Sequence, residues 1–240
     1  MKTFKQGIIS ASALIFLAGC GGGGNSEPKF EGAFSGSLSN GVLLTDLVLG
    51  DGSFWSVSKS PFGDIHGFSK GKVILNNGSF NVTYTDFAKP GDKPVSGNGA
   101  GTYTSTSAAG SITERGETLT FEITAIPTKN YIYGTPASIT SIVGPWSGKL
   151  LDGEDASVDI LADGIFSSSS KGCQFNGKFE PTGVNVFNVS VNFGGPPCAS
   201  PGGNASGIGV NVLGDDGKSQ LIVAVVNSAQ PAGSLFYASR

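Results

Sequence analysis

Along most of the chain apolar and polar side chains alternate in short runs, and no stretch after Pro28 keeps the i, i+3, i+4, i+7 apolar spacing of an amphipathic helix. The runs are separated by Asn40-Gly41, Asp51-Gly52 and Asn77-Gly78 in the first half and by Asp163-Gly164 and Asp216-Gly217 in the second. Such dipeptides accept the positive φ angles of tight hairpin turns, so they favour neighbouring antiparallel strands. The pattern predicts strands beginning near Gly32, Leu43, Phe54, His66, Phe80, Gly97, Gly110 and Thr118, and again near Trp146, Ala156, Ile165, Cys173, Val186, Gly207, Gln220 and Ser234. About eight strands in each half is what a small up-and-down barrel needs, and closure removes both exposed edges. A β-sandwich of the same strands is the competing architecture.

The two halves repeat one another. Gly32-Ala33-Phe34-Ser35-Gly36-Ser37-Leu38 is matched 112 residues later by Gly144-Pro145-Trp146-Ser147-Gly148-Lys149-Leu150, and Asp51-Gly52-Ser53-Phe54 by Asp163-Gly164-Ile165-Phe166 at the same offset. Phe80-Asn81-Val82-Thr83 then answers Phe187-Asn188-Val189-Ser190, and Ser96-Gly97 answers Ser206-Gly207. Matches in the same order imply two homologous modules, residues 30–126 and 143–240, joined by a connector at 127–142 that carries Tyr131 and Tyr133. The expected fold is all-β: two tandem antiparallel meander barrels, preceded by a signal-peptide helix.

That helix is read from the leader, where Lys2 and Lys5 precede an uncharged apolar run from Gly7 to Leu17. The run is too short to span a bilayer, which takes roughly twenty residues. Leu17-Ala18-Gly19-Cys20 resembles the lipobox of bacterial lipoproteins, whose cysteine is acylated, for instance with palmitate, and becomes the first mature residue. The resemblance implies cleavage of residues 1–19 and attachment to the lipid bilayer through acylated Cys20. Gly21 follows the cysteine where lipoproteins held in the inner membrane often carry Asp, which favours the outer membrane, with its face left open. Residues 20–29 read as a Gly-rich tether with little to bury.

Removing residues 1–19 takes Lys2 and Lys5 with it and leaves 13 basic against 18 acidic side chains, a net charge of −5. An acidic balance argues against nucleic acid as a partner. With charged residues at 14%, 38 glycines and 12 prolines, the composition is that of turn-rich β structure. With Cys20 assigned to lipid, Cys173 and Cys198 remain to form a disulfide in an oxidising compartment.

Gly144-Pro145-Trp146 resembles the Gly-x-Trp that opens lipocalin and avidin barrels, with Phe34 in place of the tryptophan in the first module. The lipobox, leash, Asp-Gly-x-Phe turn and cysteine pair are together similar to small two-repeat proteobacterial lipoproteins of unassigned function. More distantly, the barrels resemble lipid-anchored surface modules of transferrin-binding-protein type, a family that binds host proteins; a protein or glycan is the expected partner.

Catalytic chemistry has little to stand on. His66 is the only histidine, in Asp64-Ile65-His66-Gly67-Phe68; two residues apart on a strand, Asp64 and His66 would share a face. No Gly-x-Ser-x-Gly elbow occurs and the second module has no counterpart of His66, so we expect a non-enzymatic protein without cofactor or metal. The clusters Asp152-Gly153-Glu154-Asp155 and Asp215-Asp216-Gly217 read as solvated hairpin tips rather than calcium loops. Phe54-Trp55 puts one ring on each face of a strand, and Trp55, Tyr84 and Tyr103 would form a binding patch if they clustered outward. The sequence thus favours a membrane-anchored binding or envelope-structural module. A binder of a small apolar ligand inside a barrel is the alternative, and a hydrolase using His66 a weaker one.

Overall fold

The computed structural model describes residues 27–88, 92–198, 203–214, 216–227 and 232–240. The leader, Cys20 and most of the tether lie outside the described residues. The first eight strands are β1 (Gly32–Leu38), β2 (Leu43–Val48), β3 (Ser53–Lys59), β4 (Ile65–Asn76), β5 (Ser79–Phe87), β6 (Val95–Tyr103), β7 (Ser107–Glu114) and β8 (Glu117–Ala125). Each pairs antiparallel with the next, and β1 pairs with β8, so the sheet closes as a meander barrel rather than a sandwich. A second closed barrel holds β9 (Gly144–Leu150), β10 (Asp155–Ile160), β11 (Ile165–Ser170), β12 (Cys173–Pro181), β13 (Phe187–Phe193), β14 (Gly203–Leu213), β15 (Ser219–Asn227) and β16 (Ala232–Ser239).

Turn chemistry sets the hairpins, though not always as the dipeptides suggest. Asn77-Gly78 has positive φ at both residues, 46° and 81°, the two-residue turn that fits strand twist. At Asp51-Gly52 only the glycine is left-handed: Gly52 N–H donates to Leu49 and Asp51 accepts from Ser53 N–H at 2.8 Å, a longer loop. Arg115-Gly116 and Lys171-Gly172, which do not read as turn signals, make two-residue turns of the first kind.

Both faces of several strands are buried, because the barrels pack side by side. Trp55, Val57, Phe68 and Phe87 on the outside of the first barrel form one apolar cluster with Ile208, Val210, Val212, Ile222 and Leu235 on the outside of the second. Phe68 stacks on Phe87 at 4.9 Å between ring centroids and on Trp55 at 6.3 Å, and Lys59 lies over the Tyr237 ring at 4.3 Å. The connector staples the two. Tyr133 accepts from Gly50 N–H at 3.2 Å through its hydroxyl and from Asn185 N–H at 2.8 Å through its carbonyl, while Asn130 exchanges hydrogen bonds with Leu213.

The second barrel is solid. Trp146, Phe166, Phe179, Phe187, Leu221 and Val223 belong to its core, and Arg240 lies over the Trp146 ring at 4.0 Å. The Trp146 indole donates to the Ile142 carbonyl at 2.7 Å, next to the single-turn 3-10 helix Ile139–Ser141. Cys173 and Cys198 form the expected disulfide, with Cα atoms 4.4 Å apart.

Candidate functional site

Inside the first barrel is a cavity of about 370 Å³, whereas a void among Phe166, Phe175 and Phe179 of the second is about 40 Å³. Ligand pockets run from roughly 300 to 1,000 Å³, so the first is of ligand size and the second is far below it. One end is closed by Phe30, which lies against Phe34, Tyr103 and Phe80 with centroids 4.7, 5.3 and 6.2 Å away. Glu27 ties this plug down, accepting from the Tyr103 hydroxyl and from Asn77 N–H, both at 2.7 Å. The other end carries His66, Asp86, Glu114, Arg115 and Glu117 at the β3–β4, β5–β6 and β7–β8 hairpin ends.

Period-two alternation decides what enters the hollow. From β2 come Leu44, Asp46 and Val48, from β3 Phe54, Ser56 and Ser58, and from β5 Phe80, Val82, Tyr84 and Asp86. Opposite them β6 offers Gly97, Gly99 and Gly101. The Tyr84 ring lies where a Cβ on Gly97 would stand, 2.2 Å from its Cζ, so the glycine lets the ring lie flat on the wall.

The strand registers align the two barrels and show why only one is hollow. Phe34 faces Asp46 as Trp146 faces Val158, which makes Asp46 the counterpart of Val158. Phe54 faces Gly71 and Gly71 faces Tyr84, as Phe166 faces Gly177 and Gly177 faces Val191, so Tyr84 corresponds to Val191. One step on, the pair Ser69–Asp86 corresponds to Phe175–Phe193, whose ring centroids are 5.7 Å apart. Val82 faces Gly99 as Val189 faces Gly207, so the repeat in this strand pairs Gly99, not Gly97, with Gly207. Gly110 corresponds to Val223 and Ala108 to Leu221 by the same registers. Apart from the shared glycine, the second barrel has an apolar side chain at each of these positions where the first has a polar or smaller one.

The polar groups are electrostatically costly. Asp46 is 8% exposed, and burial raises its carboxyl from 3.8 to about 6 against a stabilising hydrogen bond from Ser56. Asp86 is also raised by burial, offset by the Ser69 hydroxyl donating at 2.8 Å and by Arg115. Burial raises Glu114 too, with the charge of Asp86 adding, while Arg115 lies 3.9 Å away. Tyr84 is 8% exposed; burial first, then Glu114 and Asp86, pushes its phenol up. Glu114 is near enough to act on that phenol, yet no partner meets the Tyr84 hydroxyl at hydrogen-bonding geometry.

The residues singled out in the sequence fall in different places. Tyr84 lines the cavity, Tyr103 closes its floor, and Trp55 is buried between the barrels with Lys70 over its ring at 4.9 Å, so the three make no shared outward patch. His66 stands exposed at the mouth, but Asp64 precedes β4 and takes its contacts with Ser60 rather than sharing a strand face with His66. At the β9–β10 tip, Asp152 accepts from Glu154 N–H at 2.9 Å, Glu154 pairs with Lys171, and Asp155 pairs with Lys149 at 2.7 Å. Asp215 lies outside the described residues. Sequence reasoning missed Asp46, Asp86 and Glu114; the signal available was Asp46 standing 112 residues before Val158, a carboxylate where the repeat has an aliphatic side chain. Compared with protein-family models and with curated proteins, the chain matches neither, so its site is read from its own geometry.

Proposed function

We propose that this chain is a non-enzymatic binding module, tethered to the bacterial outer membrane through acylated Cys20, whose first barrel takes up a small, largely apolar ligand and whose second barrel is its rigid support. The observation that carries the reading is the contrast in filling: a cavity of about 370 Å³ in one copy of a repeat whose other copy closes Phe166, Phe175 and Phe179 around a void of about 40 Å³. Hydrophobic and aromatic walls with a few placed polar groups are the usual make-up of such sites. The reading based on outward aromatics has less support, because Trp55, Tyr84 and Tyr103 are all buried.

The test is calorimetric titration of the full-length chain carrying Cys20→Ser, which cannot be acylated, with 2-(1-naphthyl)ethanol as a neutral apolar probe. One site per chain is expected, and Ile112→Trp, which puts an indole into the hollow from β7, should abolish it while circular dichroism and melting stay native. Absence of binding to the parent chain, or undiminished binding to the variant, would remove the cavity as the site.

A further inference from the structure

The second barrel shows what this fold does when its interior has only to be stable: it places Val158 and Val191 where the first places Asp46 and Tyr84. A buried carboxylate without a cation is destabilising, and so is a buried hydroxyl without a partner. Asp46 takes part in none of the ion pairs among the described residues, and the one hydrogen bond that bears on its carboxyl comes from Ser56. The Tyr84 hydroxyl is buried in the same cavity, within reach of Glu114 but with no partner at good hydrogen-bonding geometry. Nearer the mouth, Arg115 faces Glu114 and acts on Asp86, so the local cation is engaged there and not at Asp46.

We propose that the ligand of the first barrel is a protonated amine on an apolar, ring-bearing body, with its ammonium on Asp46 and its body against Phe54, Phe80 and Phe121. This rests on the binding role proposed above. An ammonium supplies the positive partner that Asp46 lacks, and the aromatic wall favours a cation through its ring faces. An anionic ligand would meet the carboxylates of Asp46, Asp86, Glu114 and Glu117. A neutral one would leave Asp46 buried and unpaired.

Three probes with one ring system separate the cases: 2-(1-naphthyl)ethylammonium, 2-(1-naphthyl)ethanol and 1-naphthylacetate, titrated at pH 8 and physiological salt into the full-length chain carrying Cys20→Ser. The ammonium should bind at least about tenfold more tightly than the alcohol, which corresponds to ~1.4 kcal/mol, and the acetate most weakly. In the Asp46→Asn variant the ammonium should bind no more tightly than the alcohol. Asp163→Asn, an equal change of net charge at a turn of the second barrel, should leave the preference intact. If the alcohol binds and the ammonium binds no better, or if the preference survives Asp46→Asn, the amine assignment is overturned and the cavity reading stands. If none of the three binds, both fall.

Discussion

Asp46→Asn should stabilise the protein at neutral pH, an unusual outcome for a substitution in a barrel interior. The sign follows from the direction of the shift. Burial raises the Asp46 carboxyl from 3.8 to about 6, so the folded chain holds this proton more tightly than the unfolded chain does. Stability from this group is therefore greatest below pH 3.8, falls as pH rises toward about 6, and is level above that. At 1.36 kcal/mol per pKa unit the ionised carboxylate costs about 3 kcal/mol at pH 7. Asparagine keeps the shape and still accepts from Ser56, but carries no charge. Urea denaturation at pH 5, 6, 7 and 8 should show Asp46→Asn more stable than the parent by up to about 3 kcal/mol at pH 7 and above, with the two converging toward pH 4. A shallow slope of the same sign should remain in the variant, because burial also raises Asp86 and Glu114. Equal or lower stability of the variant at pH 7 would show that the carboxylate is not desolvated in the folded state, and the reasoning from its burial would fail.

Two further outcomes follow from the scaffold. Phe68→Ala should lower stability by about 3–5 kcal/mol, because the ring is 0% exposed and packs against Phe87, Trp55 and the backbone at Gly233, where a Cβ would stand 2.4 Å from Phe68 Cζ. Denaturation followed by fluorescence of the two tryptophans, Trp55 between the barrels and Trp146 in the second core, checks it, and a loss under 1 kcal/mol would contradict the packing. Replacing Cys173 and Cys198 together by Ser should destabilise by about 3.5 kcal/mol on the chain-entropy account of a loop with sequence separation 25, read as the difference in urea midpoint between the variant and the oxidised parent.

The strand plan was legible because it is local. Predicted starts at Gly32, Leu43, Ile165 and Cys173 coincide with observed ones, and others fall a few residues off, as at Gly110 for Ser107 or Gly207 for Gly203. Closure and the disulfide followed from strand number and cysteine count. The residues of the interface between barrels were not identified, although they left a mark: Leu221 to Val226 is apolar at every position, where a strand with one wet face would alternate. Asp46 escaped notice for a related reason. In Leu43-Leu44-Thr45-Asp46-Leu47-Val48 both faces carry apolar residues, so alternation alone does not say which face turns inward. Asp86 and Ser69 looked like ordinary polar positions, and only the β4–β5 register brings them opposite one another. What the repeat offered was its matches; the chemistry lay in the mismatches.

Those mismatches also explain how a hollow, charged barrel persists. Strands β2 to β4 lose apolar contact on the inside, where Asp46, Ser56 and Ser69 stand, and regain it on the outside, where Leu47, Trp55, Val57 and Phe68 meet the second barrel. The second barrel makes no such exchange: β15 is buried on both faces, with Leu221, Val223 and Val225 in its own core and Ile222 and Ala224 in the shared cluster. Buried apolar area contributes roughly 25 cal/mol per Å² wherever it lies, so a face turned toward a neighbour stabilises a strand as well as a face turned toward its own interior. A duplicated barrel therefore frees one copy from the requirement to fill itself. One copy becomes the core of the assembly, and the other is left with an interior that can be shaped for a ligand.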